Sequence, residues 1–173
     1  MTSRPQYLNA ATGIYTAWDL RRYMDGDPVG PGVADYGSFL VQQRQAGANM
    51  TVDIGSTGVG LMQAWVKGST RDGQGLYRID NIDVTAPSAN TYVAQLNDVI
   101  TANASGNPRL DQVILQVSDA QHAGVSNLAQ ITVLAGTANA ATTLDTRTGA
   151  ATLPASCILL ADVLVASGAV SIV

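Results

Sequence analysis

The chain is predicted to be mainly β, an antiparallel β-sandwich or barrel-like body with a short N-terminal helix and arm. Three observations carry that prediction. All thirteen acidic residues are Asp, and Lys67 is the one lysine. The charged helix formers Glu and Lys are thus all but missing, while Asp favours caps and turns. Seventeen Gly and six Pro punctuate the 173 residues, separating short runs rich in Val, Ile and Thr. One stretch is strongly patterned. Asn107-Pro108 signals a turn, and the strand after it sets Val113, Leu115 and Val117 on one face and Gln112 and Gln116 on the other, with Ile114 between them. Arg109 and Asp111 at its start are expected to fix strand register as a local ion pair rather than to carry chemistry.

The one helix predicted lies near the start. Thr16-Ala17-Trp18-Asp19 has the form of a capping box with Asp in place of Glu, and Leu20-Arg21-Arg22-Tyr23-Met24 continues it. Residues 25–32 hold two Pro and three Gly, which ends it. This places an N-terminal arm and helix at residues 1–32 and a β domain at 33–173.

Strands are predicted at residues 39–42, 50–54, 61–67, 77–84, 91–96, 109–118, 129–135 and 157–165, with a last piece at 169–173. Ala129, Ile131, Val133 and Ala135 share a face opposite Gln130 and Thr132. Residues 158–165 are apolar on both faces apart from Asp162, which predicts a central strand covered on both sides. The stretch 136–153, rich in Ala, Thr and Gly, reads as a long loop.

Composition bears on function. Charged residues make up 13% and the net charge is −4, which argues against nucleic acid as a partner, since that is gripped by clustered Lys and Arg. No apolar run approaches the roughly eighteen residues of a membrane span, and the start lacks the apolar stretch of a secretory signal. A soluble chain made in the cytoplasm is expected. The preference for Ala, Gly and Arg over Lys points to a GC-rich genome.

Candidate chemistry is sparse. His122 is the one histidine, with no nucleophile-elbow pattern and no partner set for a metal. Asp25 with Asp27, or Asp80 with Asp83, are the carboxylate pairs to weigh for calcium, yet the EF-hand order is absent and turn roles are expected. Cys157 sits in an apolar run and is expected to behave as a small buried hydrophobe. The glycine-rich run from Gly55 to Gly60 lacks the Lys of a phosphate loop. Asn49-Met50-Thr51 and Asn103-Ala104-Ser105 match the glycosylation pattern, which means little for a chain without a secretory signal. An aromatic ring offers an apolar face to a sugar, but aromatics total 5%, and Trp65, inside a strand, is expected in the core. Trp18, Arg21, Arg22 and Tyr23 form the candidate interface, on residue types that anchor protein contacts. No enzyme activity, cofactor or metal is expected.

Several segments in order carry a resemblance: Ala17-Trp18-Asp19-Leu20-Arg21-Arg22-Tyr23, Gly47-Ala48-Asn49-Met50-Thr51-Val52, Ala64-Trp65-Val66-Lys67-Gly68, then 107–119, Val133-Leu134-Ala135-Gly136-Thr137, Leu153-Pro154 with 159–165, and 167–172. In this order the chain resembles the N-terminal domain of minor tail, baseplate and receptor-binding proteins from siphophages of Gram-positive, specifically actinobacterial, hosts. Two departures stand out. Thr137 leads into Ala138-Asn139 where the family often has Pro, and the chain ends at Val173 where the family continues into a coiled coil, fibre or host-binding domain.

The resemblance implies a virion structural protein of the tail tip or baseplate. It would be an assembly or adaptor module, a homotrimer contacting other tail proteins and supporting receptor-binding components in host attachment. The alternative it leaves open is a receptor-binding protein that touches host cell-wall polysaccharide directly through a loop such as Arg71-Asp72-Gly73-Gln74-Gly75. A wall hydrolase is disfavoured by one His and no Glu.

Overall fold

The computed structural model describes residues 31–34, 38–44, 47–55, 62–68, 76–80, 84–85, 88–89, 96–119 and 128–172. The predicted helix and most of the arm lie outside these residues. Within them the chain is mainly β and has no helix. The strands are β1 (Gly32–Val33), β2 (Val41–Gln43), β3 (Thr51–Ile54), β4 (Gln63–Lys67), β5 (Leu76–Asp80) and β6 (Val84–Thr85). They continue with β7 (Ser88–Ala89), β8 (Leu96–Val99), β9 (Arg109–Ser118), β10 (Leu128–Leu134) and β11 (Cys157–Val165). Three sheets result, in the orders β1-β4-β5, β2-β3-β8-β7 and β11-β9-β10-β6. Every pairing is antiparallel except that of β6 with β10.

One core draws on all three sheets. Val52 and Ile54 come from β3, Ala64 and Val66 from β4, and Ile79 from β5. Val113, Leu115 and Val117 come from β9, Ala129 and Ile131 from β10, and Val163 and Val165 from β11. Strand alternation explains the set. The register pairs Leu115 with Ile131 and Val113 with Val133, so the oily faces of β9 and β10 coincide. Phe39 closes the core beside β2, fully buried with a left-handed backbone (φ 54°) and its N–H on Met62 Sδ. A bulky residue holds that conformation only where its surroundings dictate it.

Strand β11 corrects the sequence reading. Among the described residues it is not a central strand but the edge of its sheet, and Leu164 is exposed. Its apolar residues on both faces have another cause. Ile158 pairs with Leu115, but the register shifts between Leu159 and Ala161, after which Ala161 pairs with Val113 and Val163 with Asp111. A bulge at Leu160 therefore switches the core-facing parity from even residues to odd ones. Two half-strands of opposite parity read, in sequence, as one strand apolar throughout.

The strand covered on both sides is β9. Leu110, Gln112 and Ile114, on the face away from the core, are as buried as Val113 and Leu115. Strands β10 and β11 flank β9 and run parallel to each other, so the connection 135–156 must cross β9. Arg147 in that crossover reaches Asp162, the register partner of Gln112, which places the crossover over the outward face. The 136–153 loop is present as expected; it serves as a lid on β9.

Smaller differences follow local chemistry. The predicted 77–84 strand is divided, with β5 in one sheet and β6 beside β10. Of the predicted 91–96 strand, Leu96 is described, and it opens β8. Residues 169–172 follow a turn at Ser167-Gly168 as a bent segment rather than a strand, tied down by the Ile172 N–H on the Asn49 carbonyl at 2.8 Å. The two-residue strands β1 and β7 are too short to leave a periodic signal.

Position in this core sets the cost of truncation. Leu115→Ala lowers stability by about 2–5 kcal/mol, whereas Leu164→Ala costs under about 1 kcal/mol. Urea denaturation of the two variants checks the ranking, and equal losses would contradict the edge placement of β11.

Candidate interaction surface

At the start of β9 the strand is held by a polar knot. Arg109 and Asp111 stand two apart on the same side of the strand, so their side chains meet. Arg109 Nε donates to Asp111 Oδ1 at 2.6 Å and its Nη2 to Oδ2 at 2.7 Å, a forked pair. Asp111 is fully buried and also accepts the Gly136 N–H at 3.1 Å. Arg109 Nη2 reaches the Thr101 carbonyl as well. Hydrogen bonding to Asp111 raises the Arg109 guanidinium above its usual value; burial opposes this and the Asp111 charge adds to it. The ion pair expected from sequence to fix strand register is present, and through Gly136 it also fixes where the crossover begins.

Asn103 forms the second part of the knot. Its amide nitrogen donates to the carbonyls of Asn107 at 2.8 Å and Val165 at 3.0 Å, and its oxygen accepts from Ser105. Its backbone carbonyl takes the Gly168 N–H. One buried side chain thus closes the 103–107 turn and ties it to the end of β11. Both amide hydrogens are used, so the Asn103 glycosylation match has no accessible nitrogen to modify.

The crossover is built to lie close. A side chain at Gly136 would begin 2.2 Å from the Leu110 carbonyl oxygen. Gly149, at φ 79°, leaves 2.1 Å to the Thr137 carbonyl oxygen, and only glycine fits either place. Thr137 N–H to the Gly149 carbonyl and Asn139 N–H to the Pro108 carbonyl hold the segment down. Arg147 forks onto Asp162, Nε to Oδ2 at 2.9 Å and Nη2 to Oδ1 at 3.0 Å. Among exposed polar residues such as Thr143, Asp145 and Thr146, this region also exposes large apolar side chains: Leu144, Leu153, Leu164 and Val170 are 53%, 40%, 41% and 83% exposed.

A second surface lies on sheet β1-β4-β5. Ala64 and Val66 face the core, so Trp65 faces outward, partly exposed, between Gly32 and Arg78 in register. Trp65 is therefore not the core residue expected from sequence. A Trp fits a strand on either face, and the flanking parity of Ala64 and Val66 decides it. Beside it Gln63 Nε2 donates to Asp80 Oδ1 at 3.0 Å, and Arg78 Nε lies 3.3 Å from the same oxygen. Asp80 is thus a strand residue in a surface ion pair, not a turn residue.

Trp18, Arg21, Arg22 and Tyr23 lie outside the described residues, as do His122, Asp25, Asp27, Asp83 and the loop 71–75. Cys157 is partly buried, with Sγ on the Pro154 carbonyl at 3.1 Å. Burial raises its pKa, which keeps it a protonated thiol. Among the described residues no three His, Cys, Asp or Glu come together to hold a metal ion, and no helix is long and apolar enough to cross a membrane. The arrangement offers surfaces for contact. Asn103 and the Arg147–Asp162 pair escaped the sequence reading because their partners lie up to 62 residues away. Comparison of the chain with known protein families, characterised proteins and solved structures finds no match.

Two outcomes follow. Arg109→Ala strands the buried Asp111 carboxylate and lowers stability by about 3–5 kcal/mol, while the double replacement Arg109→Met with Asp111→Leu recovers much of the loss; a denaturation cycle measures both. Cys157 in the folded protein reacts with iodoacetamide at neutral pH far more slowly than in urea, as mass spectrometry over time reads; equal rates would contradict its shielding.

Proposed function

We propose that the protein is a virion structural component of a phage tail tip or baseplate, an assembly and adaptor module that acts as a homotrimer and supports receptor-binding components. One observation carries the reading: an edge strand, β11, in the same region of sequence as the exposed Leu153, Leu164 and Val170. Edge strands and exposed apolar side chains are normally protected, and a second subunit is one way to cover them. The ordered resemblance to phage tail modules supports the same conclusion, as does the low charge. In this reading the three sheets make a sandwich-like body whose knot of Asn103, Arg109 and Asp111 keeps the packing surface rigid. The work of such a module is shape and contact, with no reaction to perform.

Light scattering on the purified chain tests the trimer. A particle three times 17.9 kDa is expected, and Leu164→Asp shifts it toward the single-chain mass while leaving the far-ultraviolet circular dichroism unchanged. A wild-type chain that stays monomeric at high concentration contradicts an intrinsic trimer. Immunogold labelling of virions tests location, with signal at the tail tip expected and signal on the head or along the tail tube excluding the proposal.

A further inference from the structure

We draw no further inference here: the strongest candidate, the Gln112 carboxamide sealed beneath the 135–156 crossover with no hydrogen-bond partner for its Oε1, carries nothing, because that oxygen is packed too closely to admit a ligand and the charged groups across the strands from it, Asp162 and Arg147, already pair with each other.

Discussion

A carboxylate with no solvent exposure sits at the start of the longest strand, and the geometry of the surrounding sheet depends on its partners. Asp111 takes two hydrogen bonds from Arg109 and one from the Gly136 N–H. The first two hold the beginning of β9; the third holds the beginning of the crossover that β9 lies beneath. A buried charge is costly to leave unpaired, so these three contacts must form together. Once they do, Gly136 is pressed onto the Leu110 carbonyl, and the chain leaves β10 in the direction that carries it over β9.

Burial of β9 on both faces then follows, as does the edge position of β11. The strand that looked amphipathic is the covered one, and the strand that looked covered is the edge. Both reversals come from features that sequence periodicity does not record. A crossover of Ala, Thr and Gly has no pattern of its own, yet it shields Leu110, Gln112 and Ile114. A bulge at Leu160 joins two amphipathic halves of opposite parity into a run that reads as uniformly apolar.

Much of the fold was nevertheless legible. The β9 and β11 boundaries match their predicted spans, because a turn signal precedes each and the apolar pattern is dense. The ion pair of Arg109 and Asp111 was readable because residues two apart in a strand share a face. What was not readable is long range. Asn103 showed in sequence only a glycosylation pattern of little weight, and it is a buried brace whose partner Val165 is distant in sequence. Trp65 looked like core because an aromatic in a strand ordinarily is, and only the burial of Ala64 and Val66 turns it outward. The candidate interface at Trp18, Arg21, Arg22 and Tyr23 rests on the sequence pattern alone. Surface, then, was harder to read than framework, and the proposed function lives on the surface.

The claim on which this account rests is that Asp111 locks the crossover over β9. Amide hydrogen exchange followed by mass spectrometry tests it directly. In the wild-type chain the peptide covering residues 136–150 should exchange nearly as slowly as β9. In Asp111→Asn, protection of that peptide should fall first while β10 keeps its own. A crossover that exchanges freely in the wild type, or that stays protected when Asp111 is replaced, would contradict the account.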